Sequence, residues 1–218
     1  MGGRFRVHGA RGAGSVPIEA AMTLMGLPYE VVERPPLADF EAALKAAAAV
    51  NPMRQVPAVI LPDGELMTES AAILIWLTDA YPGAGLAPAP SSPLRPAFLR
   101  WMCFVSAAIY ALYWIRDDPS RLAADKAHEP WLRERTAARI AECWGIMDAQ
   151  VRPGRYILGD SMSVLDLYVT VISRWGPRRR RFYEAAPRMA PVVRRVDADP
   201  RLAGFWAERF PFAEGWEG

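Results

Sequence analysis

Residues 51–70 read NPMRQVPAVILPDGELMTES, and the fold is decided within them. Ala58 to Leu61 is a short apolar run of strand type, Pro62-Asp63-Gly64 has the composition of a tight turn, and Leu66 to Thr68 can run back antiparallel. Ser70 opens a helix directly afterwards, with Ile73, Leu74 and Leu77 on its apolar face.

Toward the start of the chain, Phe5 and Val7 alternate with Arg4, Arg6 and His8, the pattern of a short strand, and Gly9 to Gly14 is a glycine-rich turn. Ser15 then begins a helix: its side chain can cap free amides, Pro17 fits the first turn, and Gly26 ends the element. Tyr29 to Val32 predicts a second strand and Phe40 to Val50 an alanine-rich helix, so the first two strands should pair in parallel. Residues 82–93 are rich in proline and glycine and lack periodicity, which marks a stiff linker. Beyond it, helical patterns are expected at about 94–116, 130–151, 163–176, 187–198 and 201–210, with no convincing strand.

Composition narrows the class. With 52% hydrophobic residues and a formal net charge of +2, the chain can bury a large core and offers no bulk charge for polyanions, so nucleic acid is not an expected partner. The two cysteines, Cys103 and Cys143, stand alone in apolar helical stretches, and the two histidines, His8 and His128, are far apart in sequence. Neither a disulfide framework nor a metal site is expected. The most apolar run, Trp101 to Ile115, is below the roughly 20 residues that cross a bilayer and reads as a buried helix. Met1 to His8 shows no export or lipidation signal, so a cytoplasmic location away from membranes is expected.

Several segments, in the same order, resemble the glutathione transferase superfamily. Asn51-Pro-Met-Arg-Gln-Val-Pro57 is similar to the family's N-P-x-G-Q-V-P segment, with Arg54 where glycine is usual. Glu65 to Ser70, followed by Ala72 to Leu77, looks like the family's acid-serine motif and its helix. Gly159 to Asp166 resembles its capping-box motif, in which Ser163 and Asp166 brace a buried helix. The resemblance implies an α/β thioredoxin-like N-terminal domain over 1–81, a linker over 82–93 and an all-α C-terminal domain over 94–218. It also implies glutathione as co-substrate, a homodimer, and conjugation of the glutathione thiolate to a small apolar electrophile.

The residues that would carry this chemistry follow from the ligand. Glutathione is an anionic tripeptide, so its middle wants backbone pairing and its ends want anion and amine partners. If the Val56-Pro57 bond is cis, Val56 would present its amide and carbonyl for the ligand to add as an extra strand, with Gln55 in the same segment. Ser70 at a helix N-terminus would receive the γ-glutamyl carboxylate and Glu69 the α-amino group; the competing reading makes Ser70 a plain helix cap and Glu69 a first-turn acid.

A free cysteine thiol has a pKa of about 8.5, so turnover at neutral pH needs a group that lowers it. Related enzymes put a tyrosine, serine or cysteine in the turn after the first strand, and the only such residue here is Ser15. Counted back from Gly26, however, the family's usual positions fall on Gly12, Ala13 and Gly14. Ser15 is therefore weighed equally as a thiolate-stabilising residue and as an N-cap, with the turn amides as the alternative donor. Arg11 could add positive charge from the same turn. The second-substrate pocket is expected along the aromatic helix, where Tyr110 and Tyr113 share nearly one face; two buried tyrosines bonded to backbone is the competing reading. The Arg178 to Arg181 run reads as a solvated turn or dimer rim. A glutathione-binding or protein-interaction module that kept the fold without the chemistry stands as the alternative function. A cysteine-dependent reductase is disfavoured, since the first domain has no cysteine.

Overall fold

Alternation of Phe5, Val7 and Gly9 with more exposed Arg6 and His8 gives the first strand, β1 (Phe5–Gly9), one covered face. The computed structural model describes residues 3–34, 48, 50–176 and 179–217. β1 is parallel to β2 (Tyr29–Glu33) and antiparallel to β3 (Ala58–Ile60), which in turn pairs antiparallel with β4 (Leu66–Thr68). The strand order is β2-β1-β3-β4. The parallel pair and the hairpin stand as the sequence predicts them, while the helix expected over Phe40 to Val50 lies almost wholly outside the described residues.

Helix α1 (Val16–Met25) follows β1 and buries Val16, Ile18, Ala20, Ala21 and Met22; Gly26, at φ 65, closes it with its N–H on the carbonyls of Met22 and Thr23. Helix α2 (Ser70–Ala80) continues from β4 and buries Ile73, Leu74 and Leu77. The linker is tied down at both ends: Val164 donates its N–H to Leu86 at 2.8 Å, and Arg95 reaches Asp79 at 2.7 Å and the Pro88 carbonyl at 3.2 Å.

The second domain is helical: α3 (Arg95–Phe104), a π-helical turn (Val105–Tyr110), α4 (Ala111–Asp117), α5 (Glu129–Gln150), α6 (Val164–Ile172), α7 (Arg179–Ala185), α8 (Ala190–Asp197) and α9 (Ala203–Arg209). Arg95–Asp117 forms one helical run of 23 residues, longer than the apolar core read from sequence and long enough by length and composition to span a bilayer. It buries Phe98, Trp101, Met102, Val105, Ile109 and Tyr113 against its neighbours, as a core helix of a bundle does. At the centre lies α6, every residue of which is buried. Asp166 explains its start: one carboxylate oxygen accepts from the amide and hydroxyl of Ser163 at 2.8 and 2.9 Å, and the other accepts from the Ile157 amide at 2.8 Å.

The arginine run differs from its expected role. Arg179 belongs to α7 and is fully buried, paired with Asp197 at 2.5 Å and donating to the Thr170 carbonyl at 2.8 Å. Arg181 pairs with Glu134 at 3.0 Å, and Arg180 remains on the surface. Run composition alone suggests solvation; a single carboxylate, Asp197, is enough to draw its first described member inward.

Candidate functional site

The pairing of Ala58 with Thr68 carries Val56-Pro57 and Glu69-Ser70 to the same end of the β3–β4 hairpin. Asn51, buried, shapes the approach: its side-chain amide donates to the Gln55 carbonyl at 3.1 Å, and its side-chain oxygen accepts from the Met53 amide at 3.0 Å. Gln55 is exposed, Pro57 is buried, and the Val56–Pro57 peptide is cis. Arg54 adopts φ 57, the left-handed conformation that favours glycine.

Glu69 is the second non-glycine residue at positive φ, with φ 65 and ψ 99. Such a backbone costs about 1–3 kcal/mol and persists only where its surroundings impose it. Its carbonyl accepts the Ile73 amide at 3.0 Å while its side chain stands exposed. Ser70 does not cap α2 with its side chain; its hydroxyl lies 2.7 Å from that of Tyr168 in the middle of α6. Burial pushes the Tyr168 phenol up to about 12, with hydrogen bonds to Ser70 and Ser106 acting the other way.

Beside Pro57 lies the glycine turn between β1 and α1: a Cβ on Gly14 would come 3.3 Å from Pro57 Cδ. Ser15 is fully buried, accepts the Ala10 amide at 3.2 Å and lies 3.4 Å from the Ala10 carbonyl, to which it donates. A Cβ on Gly9 would fall 2.1 Å from the Ser15 hydroxyl oxygen, so that hydroxyl points under β1 and into the protein. It neither caps α1 nor reaches the cleft; the residue closes the turn on itself. Two contacts from the second domain hold the same turn: Trp175 donates its indole N–H to the Gly12 carbonyl at 2.7 Å, and the Gly12 amide donates to the Arg209 carbonyl at 2.9 Å. Arg11 is exposed at its outer edge.

The two tyrosines of the aromatic helix part company. Tyr110, at the end of the π-helical turn, donates its hydroxyl to the Val56 carbonyl at 3.3 Å. Tyr113 is buried and donates to the carbonyls of Ile172 and Trp175, each at 3.4 Å. Both rings pack edge-on against Trp175, with centroids 4.8 and 5.1 Å away. The aromatic helix thus sends one hydroxyl to the Val56 backbone and the other to the carbonyls of Ile172 and Trp175. Among the described residues, no group of three or more His, Cys, Asp or Glu side chains is placed to hold a metal ion.

Residues 15–80, which include α1, the hairpin and α2, match the family described as the glutathione S-transferase N-terminal domain. The uncharacterised GST-like protein YncG of Escherichia coli K12 is 27% identical over 198 residues, 91% of this chain and 95% of that one. The glutathione S-transferase GstA of Escherichia coli O157:H7 is 24% identical over 154 residues, 71% of this chain and 73% of its own. Over most of its length the chain is similar to glutathione transferases. A solved glutathione transferase homologue from Sulfitobacter, with bound glutathione, superposes on it with a TM-score of 0.80 at 24% identity, covering 93% of this chain and 96% of that one. The fold is that of the superfamily: a small mixed four-stranded sheet of thioredoxin-like type followed by a helical domain.

Within this glutathione transferase fold, sequence reading overlooked Tyr168 and Arg209, which hold Ser70 and the glycine turn in place. One signal was present for the first: a tyrosine inside an otherwise apolar buried helix needs a partner for its hydroxyl. Arg209 offered none. Its guanidinium pairs with the fully buried Glu19 of α1 at 2.5 Å and also with Glu33 of β2, contacts that span nearly the whole chain.

Proposed function

We propose that this cleft binds glutathione and that the protein is a glutathione S-transferase, conjugating the glutathione thiolate to a small hydrophobic electrophile. The observation that carries the reading is the convergence at one sheet end of the Val56 backbone, the positive-φ Glu69 and the buried Ser70, with Pro57 next to Gly14 of the glycine turn. Val56 would pair with the middle of the tripeptide, with Gln55 and Pro57 shaping that strand-like contact. The first amides of α2, beside Ser70, would take the γ-glutamyl carboxylate, and Glu69 the α-amino group. Arg11 adds positive charge outside the turn.

Lowering a thiol pKa by two units takes about 2.7 kcal/mol, within reach of one charge-assisted hydrogen bond of about 1.5–3 kcal/mol aided by a helix N-terminus. With the Ser15 hydroxyl committed to Ala10, donors for the sulfur come from the turn amides and from the opposite wall. The electrophile would lie along the Tyr110 and Tyr113 helix, where Trp175 supplies an apolar surface. We read the protein as a cytoplasmic homodimer with no metal, nucleic acid or membrane partner. The buried Ser15 hydroxyl favours one second reading, a non-catalytic glutathione-binding or protein-interaction module of the same fold.

Titration calorimetry with millimolar glutathione tests the binding, and turnover of an activated aryl chloride tests the chemistry. Heat of binding together with conjugate formation is expected. Binding without conjugation of any electrophile leaves the module reading in its place, and no heat at all removes both.

A further inference from the structure

The turn between β1 and α1 places no side-chain hydroxyl or thiol in the cleft: positions 12–14 are Gly, Ala and Gly, and Ser15 turns inward. Yet the space that a residue-14 side chain would fill is not empty. A Cβ built on Gly14 would fall 1.7 Å from the Tyr110 hydroxyl oxygen and 2.8 Å from its ring carbon Cζ, with Pro57 Cδ next at 3.3 Å. A phenol from the helical domain therefore stands where the first domain's own side chain would stand, and glycine at 14 is what admits it. The same oxygen lies 3.3 Å from the Val56 carbonyl, a long hydrogen bond that a better acceptor can displace.

The phenol is built into place. It leaves the helix at a π-helical turn, a distortion that re-aims side chains and recurs at functional sites. Its ring is wedged edge-on against Trp175 and tilted against Tyr168, 6.3 Å between centroids. Burial pushes the Tyr110 phenol far above its ordinary range, and Tyr168, Glu69 and Asp117 act in the same direction. The hydroxyl keeps its proton at physiological pH and so remains available as a donor.

We propose that Tyr110 supplies the hydroxyl that the glycine turn lacks, donating a hydrogen bond to the cysteinyl sulfur of bound glutathione and holding it as the thiolate. The inference rests on the cleft being a glutathione site. The thiol proton passes to water; the sulfur lone pair forms the carbon–sulfur bond while the electrophile's leaving group departs with its bonding pair. Tyr110 keeps its own proton throughout, so it is a catalytic donor and not a base.

Tyr110→Phe removes only the hydroxyl. Thiolate absorbance of the glutathione complex is titrated against pH for wild type and variant, with glutathione affinity and turnover of chlorodinitrobenzene measured alongside. The variant is expected to bind glutathione within about threefold of wild type while its thiolate fraction and turnover at neutral pH fall about ten- to hundredfold. Gly14→Ala, whose methyl would displace the phenol tip, should reproduce the loss from the other side of the cleft. Tyr183→Phe, a tyrosine of α7 that bonds Glu217, should leave the thiol titration where it is. An unchanged titration in Tyr110→Phe overturns the proposal, as does tighter binding with faster turnover, which would mark Tyr110 as a plug. Wild type that fails to bind glutathione overturns the reading beneath it instead.

Discussion

The hydroxyl of Ser70 lies 2.7 Å from the hydroxyl of Tyr168, so the helix start at the cleft is fastened to the most buried helix of the second domain. Ser70 is 4% exposed, and the bond joins residues 98 positions apart. A ligand anion at α2 would meet a serine already held in place, with the helix amides beside it free of reorganisation cost.

Tyr168→Phe should therefore cost about 0.5–1.5 kcal/mol of stability, the net worth of a neutral hydrogen bond, and leave the Ser70 hydroxyl without its partner. Urea denaturation reads the first effect. A variant as stable as wild type, with unchanged glutathione affinity, would show that the bond neither stabilises the domains nor orients Ser70.

Glu19 is fully buried and meets the guanidinium of Arg209 at 2.5 Å. Arg209→Met removes the cation and strands a carboxylate in the core, a situation worth about 3–5 kcal/mol when one partner of a buried pair is deleted. A large drop in denaturant midpoint is expected. Adding Glu19→Gln to Arg209→Met should recover part of it; no recovery would mean that the loss comes from packing at α9 alone.

Burial lifts the Asp166 carboxyl from 3.8 to about 6, even though three donors to its oxygens favour the charged form. The folded chain then holds a proton that the unfolded chain releases between those values. Stability from this group is fully present below the unfolded pKa and is lost as the pH rises through about 6. The stability advantage of wild type over Asp166→Asn should thus be larger near about pH 4.5 than near about pH 7.5, by at most ~3 kcal/mol. A difference that stays level or grows with pH contradicts the assignment.

Glu69 holds φ 65, where glycine would sit without strain. Glu69→Gly should keep or raise stability by about 1 kcal/mol while weakening glutathione about 10- to 150-fold, the range of one charge-assisted contact. Thermal unfolding and calorimetry on the same sample separate the two effects. Affinity equal to wild type would remove Glu69 from the binding site.

Light scattering at micromolar protein should give twice the 24.2 kDa of one chain. A clean monomer mass would dismiss the homodimer.

What the sequence determined by itself was local. Strand alternation at Phe5 and Val7, the turn at Pro62-Asp63-Gly64, the Ser163–Asp166 capping box and the Val56-Pro57 and Glu69-Ser70 pairs are set by neighbours a few residues apart, and their order sufficed to show the likeness to glutathione transferases. Side-chain direction at the cleft was decided elsewhere. Whether the Ser15 hydroxyl faces a ligand or Ala10, whether Tyr110 or Tyr113 reaches Val56, and whether Arg179 is solvated or buried each depend on partners far along the chain. A hydroxyl or guanidinium can satisfy itself with any donor or acceptor of the right kind, so composition and spacing leave several partners equally good. Only the packing of α6, Trp175 and the π-helical turn against the glycine loop leaves one of them within reach.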